Sequence, residues 1–193
     1  MKNAKLQFVI LRWLYIFIQK KITNHKPMLY NYYTLYDIPL TVQVDATVLK
    51  RKYYQLSKLY HPDYYDVSTS KLTKAENLEL SARVNEGYTL LQNPTATLGY
   101  VLRLVGAVLP NEKYVLSPDF LMEVMELNET IDTATTAVIN TLNEELAAVI
   151  QPLIKKNVTE LGQVELTQLK DYYYKNKYLN RLLQRTEGVS HFE

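Results

Sequence analysis

The chain has 193 residues, enough for one medium domain or two small ones around a real core. It contains no cysteine, which excludes disulfides, thiolate nucleophiles and cysteine-held zinc. Its net charge of +2 is uneven: residues 1–36 carry Lys2, Lys5, Arg12, Lys20, Lys21 and Lys26 with no acid, leaving 16 basic and 20 acidic residues elsewhere. An acidic body argues against nucleic acid, whose affinity comes largely from neutralised phosphates.

Residues 6–18, "LQFVILRWLYIFI", are apolar except Gln7 and Arg12. A spanning helix needs roughly 20 such residues, and a central arginine costs about 2.5–3.5 kcal/mol on insertion scales. No small-x-small cleavage site follows. Met28 directly precedes the first domain pattern, so residues 1–27 read as an extension upstream of the domain. An interfacial anchor and an export signal are the alternatives, and they leave membrane contact open for this segment alone.

Helical patterning then runs to the end of the chain. Residues 30–38 predict a short amphipathic helix ended by Pro39. Residues 45–60 predict a second, with Asp45 as N-cap and Leu49, Tyr53, Leu56 and Tyr60 at helical spacing. Pro62 stops it and places His61 in a loop. Residues 66–74 are polar loop, and residues 75–93 a third helix with Leu80, Val84, Tyr88 and Leu91 on one face. Pro94 begins the next element. Ser117 and Pro118 open a helix through "PDFLMEVMELNETID". Residues 134–156 predict another, with Val138, Leu142, Leu146, Val149 and Leu153 in register. After a break at 157–162 the last helix covers 163–185. The expected fold is all-α, in two helical units joined near residues 106–110.

The tripeptide His61-Pro62-Asp63, between two antiparallel helices, resembles the loop of a J domain. The likeness extends to "YYTLYDIP", "LKRKYYQLSKLYHPD" and "VNEGYTLLQNP", which match the family's first three helices. Beyond them, "YVLRLVG", "FLMEVMELNETID" and "KNKYLNRLLQ" resemble the HscB type, the J-domain co-chaperones of iron–sulfur cluster assembly. The resemblance covers residues 30 to about 185. It implies a J domain at 28–107, an antiparallel hairpin with its His-Pro-Asp loop, and a C-terminal three-helix bundle at 108–193. It also implies a cytoplasmic adaptor without enzymatic activity or cofactor. The J domain would stimulate ATP hydrolysis by a DnaK-type chaperone of the HscA kind, and the C-terminal domain would deliver the scaffold IscU to it. A membrane-tethered general J-domain protein with another client is the alternative. This chain departs from the family at Gly87 (usually alanine), at Tyr54 and Gln55 (often basic), at Thr97 (usually arginine) and at Thr133 (often an acid).

His61 and Asp63 would make a poor acid–base pair, with no nucleophile pattern or third orienting group nearby. A structural loop with Asp63 capping a turn is the plainer reading. Beside the J-domain pattern, His61, Pro62 and Asp63 with Lys50, Arg51, Lys52 and Lys58 become the expected chaperone-docking surface. His25, His61 and His191 lie far apart in sequence, so no metal site is expected. In "FLMEVMELNETID", Leu121, Met122, Met125, Glu126 and Glu129 advance by one, three, one and three, a single stripe. Phe120, Val124, Leu127 and Ile131 form a second stripe suited to the bundle core. The resemblance marks the first stripe, with Tyr178 on the last helix, as the scaffold-binding surface.

Overall fold

The computed structural model describes residues 31–65, 72–129 and 133–189, in which seven α-helices account for nearly all regular structure. Residues 1–27, Ile131, His25, His191 and most of the 66–74 loop lie outside the described residues. Among the described residues no helix is long and apolar enough to cross a membrane.

α1 (Tyr32–Tyr36) is capped by the Asn31 side chain. α2 (Ala46–Leu59) starts where Asp45 accepts hydrogen bonds from the amides of Thr47 and Val48, as its sequence predicts. α3 (Lys74–Gln92) runs antiparallel to α2 and is opened by a reciprocal capping box between Thr73 and Glu76. Glu76 accepts the Thr73 amide and hydroxyl, which holds its carboxyl below the usual range. α4 (Pro94–Leu104) follows at once, with Asn93 as its cap. Gly106, at φ +72°, then turns the chain out of the helix.

Leu49, Val84, Leu91, Leu98, Val101 and Leu102 are buried together with Tyr33 and Tyr36. The Tyr36 hydroxyl is buried and donates to the Val84 carbonyl. Desolvation raises its pKa far above the tyrosine norm. Gly87 has a packing reason beyond its helix-propensity cost: a Cβ there would lie 2.7 Å from Tyr32 Cδ1 and 3.0 Å from Tyr36 Cε2. The missing side chain lets α1 approach α3 closely. Thr97 is likewise an interior residue, buried with its hydroxyl donating to the Leu90 carbonyl at 3.0 Å.

α5 (Pro118–Glu129), α6 (Thr133–Ile150) and α7 (Gln163–Val189) form a three-helix bundle around Phe120, Val124, Ile139, Leu142, Leu179 and Leu182. Thr133 begins α6, so it does not lie on the same helix as the 118–129 stripe. α6 also differs from the expected 134–156 span. It stops at Ile150, and residues 151–155 are turns. Pro152 is the cause, since it removes a helix donor and disfavours α backbone at Gln151. The buried row is Ile139, Leu142 and Ile150 with Leu146 half-buried beside it, whereas Val138 and Val149 face solvent.

The two units share one interior. Ile150, Leu153, Ile154, Val158, Leu161 and Leu169 pack into the same core as α2–α4. Two backbone hydrogen bonds, Gln43 N–H to Ile154 C=O and Val158 N–H to Leu40 C=O (both 2.8 Å), flank an antiparallel bridge between Thr41 and Asn157. Tyr114 stacks on Tyr174 with centroids 4.4 Å apart and donates its hydroxyl to Asp171 at 2.9 Å. Burial, reinforced by that carboxylate, pushes the Tyr114 pKa up to about 12.

Candidate docking surfaces

Tyr60 caps α2, and residues 62–64 form one 3-10 turn with Pro62 at its first position. His61 has extended backbone, and its Nδ1 accepts the Asp63 amide at 3.2 Å. The turn's side-chain cap is therefore His61, not Asp63 as the sequence suggests. Proline's fixed φ suits the first turn position and leaves residue 61 as the N-cap. An accepting Nδ1 places the proton of the neutral ring on Nε2. The 3.9 Å from Nδ1 to Asp63 Oδ2 is too long for a hydrogen bond. Both side chains are substantially exposed. The turn thus holds both side chains at the surface with no hydrogen bond between their charged ends. Among the described residues no three His, Asp or Glu side chains are grouped to hold a metal ion.

The four bases expected beside the loop do not act as one group. At about 100° per residue, Lys50, Tyr54 and Lys58 form an i, i+4 row with Arg51 beside it, opposite the buried Leu49. Lys50, Arg51 and Lys58 are exposed. Lys52 lies on the helix flank and reaches Asp37 at 2.8 Å, tying α2 to α1. That bond draws the Asp37 carboxyl below its usual pKa. Tyr54, 61% exposed at the centre of the row, belongs to this face, although in sequence it stands out only as a departure from the family's basic residue. Its spacing from Lys50 and Lys58 was the available signal. Thr47, Lys50, Arg51, Tyr54 and Gln55 line a shallow open depression along the helix.

On α5 the two stripes are physically separate. Phe120 and Val124 are buried and Leu127 packs against them. Met122 and Met125 are 62% and 60% exposed, Glu126 is exposed and Leu121 half-buried. Glu129 closes the helix; its side chain lies outside the described set. Tyr178, on α7, is half-buried and meets Phe120 edge-on, with ring centroids 6.2 Å apart. It thus joins the core side of α5, and Lys175 sits over the Phe120 ring at 5.4 Å.

Residues 116–187 match the family model described as the HSCB C-terminal oligomerisation domain. The chain is 34% identical to the co-chaperone HscB homologue of Pseudoalteromonas atlantica over 138 residues, 68% of this chain and 76% of that protein. Its similarity to the HscB homologue of Vibrio cholerae is 27% over 165 residues, 82% of this chain and 96% of the other. In three dimensions it resembles chaperone HscB from Vibrio cholerae, with a TM-score of 0.61 at 24% identity, over 84% of this chain and 98% of that one. It also resembles the crystal structure of human co-chaperone HscB, with a TM-score of 0.67 at 24% identity, over 86% and 84% of the two chains.

Proposed function

The chain belongs to the HscB family of co-chaperones, and on that premise we propose that it stimulates ATP hydrolysis by an HscA/DnaK-type chaperone and delivers an IscU-type scaffold to it. In this reading the protein serves iron–sulfur cluster assembly in the cytoplasm and performs no catalysis itself. Residues 28–107 act as the J domain and 108–193 as the scaffold-binding domain. The observation that carries the reading is the His61 turn at the end of a helix whose outer face bears Lys50, Tyr54 and Lys58.

Pro62 prevents α2 from continuing, so the His61–Asp63 turn presents an Nε2–H donor and a free-standing carboxylate beside a basic helix face. Exposed bases of this kind steer an acidic partner and orient it more than they tighten the final complex. The scaffold is proposed to bind Leu121, Met122, Met125, Glu126, Glu129 and Tyr178. Methionine's flexible thioether suits a surface that adapts to its partner. The shared core and the 40–43/154–158 backbone ties support a fixed geometry between the two binding surfaces.

His61→Gln should abolish stimulation of an HscA-type ATPase while circular dichroism remains that of the parent. Steady-state ATP hydrolysis across a titration of co-chaperone measures this. Undiminished stimulation by the folded variant rejects the docking role.

A further inference from the structure

We infer that Asn77, on α3, is a positioning residue that holds the His61 loop in its docking geometry. Asn77 is 5% exposed, and its Nδ2 donates to the Tyr60 carbonyl at 3.0 Å. That carbonyl belongs to the residue capping α2, where the intrahelical ladder has run out of donors. It also belongs to the peptide group whose nitrogen is that of His61. Fixing this peptide plane fixes where the backbone of His61 starts. The backbone amides of the turn bond locally: Asp63 N–H to His61 Nδ1, Tyr64 N–H to the His61 carbonyl, and Tyr65 N–H to the Pro62 carbonyl. They give the turn its shape, and the Tyr65 hydroxyl, donating to the Leu72 carbonyl at 2.7 Å, ties its far end to the lead into α3. Asn77 supplies an anchor from the opposing helix, 17 residues away in sequence.

The residue type carries a second argument. Asparagine is a weak helix former, and a buried amide is costly without partners. At a buried position in the second turn of a helix, alanine or leucine would serve folding alone. The amide is accounted for by the carbonyl it meets. Its own position is held by the capping box of Thr73 and Glu76 directly before it, so the donor is aimed by a rigid helix start.

The inference rests on the proposed co-chaperone role, and its test separates the two. Loosening a loop lowers the fraction of molecules in the competent geometry, which raises the apparent dissociation constant in inverse proportion to that fraction without changing the bound state. Asn77→Ala, and Asn77→Leu as a variant that fills the space, should therefore raise the co-chaperone concentration giving half-maximal stimulation of an HscA-type ATPase by roughly three- to tenfold. The maximum at saturation should stay at the parent value, as should the slope of the half-maximal concentration against salt, since the basic face is intact. Hydrogen exchange at the Tyr64 and Tyr65 amides should speed up by a comparable factor. A structural role alone would lower the melting temperature and leave the half-maximal concentration of the folded protein unmoved. A parent-like half-maximal concentration in folded Asn77→Leu overturns the inference, and so does a loss confined to the maximum. His61→Gln in the same assay tests the premise: if it stimulates fully, the docking reading fails; if it is inert while Asn77→Leu behaves as parent, only the role of Asn77 fails.

Discussion

The two faces of α5 make separable predictions, and the methionine face can be given a magnitude. Fully burying a methionine contributes about 1.5–3 kcal/mol. Met122 and Met125 remain 62% and 60% exposed, so folding uses only the smaller part of that. A partner covering the rest would gain about 0.9–1.8 kcal/mol from each. Together these amount to about 1.8–3.6 kcal/mol, or roughly 20- to 400-fold in affinity at 1.4 kcal/mol per decade. Leu121→Ala, Met122→Ala and Met125→Ala combined should thus weaken IscU binding by well over tenfold, measured by calorimetry. The same variant should stimulate the chaperone ATPase as the parent does when IscU is absent. Val124→Ala is the contrasting change, because Val124 is fully buried and its loss acts on the bundle. It should lower the melting temperature. Full-strength IscU binding by the folded triple variant refutes the placement; unfolding of the triple variant returns these side chains to the core.

Two further predictions concern stability. Tyr36→Phe removes the buried donor to the Val84 carbonyl and should cost about 0.5–1.5 kcal/mol, read from chemical denaturation midpoints. An unchanged midpoint would show the hydroxyl to be dispensable. Glu112 is held below its ordinary pKa of 4.5 by hydrogen bonds from Lys170 and the Leu109 amide. Glu165 is lowered in the same way by the Gly162 amide and Lys156. Each carboxylate has a folded pKa below its unfolded one. Their stabilisation is therefore present above about pH 4.5 and lost as pH falls through the folded values. Melting temperature should drop on acidification below that point, and Glu112→Gln should flatten part of the drop.

The hairpin was legible because local signals agreed with one another. Asp45 supplies a cap, Leu49 to Tyr60 a period, and Pro62 a stop, each within a few residues of the element it shapes. The stripes of α5 were legible for the same reason: alternation of bulky apolar and acidic residues distinguishes the two faces. α6 lacks that contrast. Val138 and Ile139 are both apolar and both at helical spacing from Leu142, so sequence period alone could not choose between them. Its end was signalled by Pro152, but the later apolar residues Leu153 and Ile154 extended the pattern past it; these leave the helix and enter the core shared with α2–α4.

Contacts between distant elements left no periodic trace. Gly87 reads in sequence as a weak point in a helix, and only the Tyr32 and Tyr36 rings at 2.7 and 3.0 Å show why a side chain is missing there. Gly99 is the same device between units, since a Cβ at that position would lie 2.7 Å from Tyr173 Cε2 on α7. Asn77 reads as one more polar residue early in a helix until the Tyr60 carbonyl is placed opposite it. The apolar pattern assigns each helix a buried side but not a neighbour. Small or polar residues that interrupt the pattern then mark where a neighbour comes closest. In this chain one such residue, Asn77, meets the carbonyl that leads into the His61 turn, and another, Gly99 on α4, lets α7 of the bundle come close.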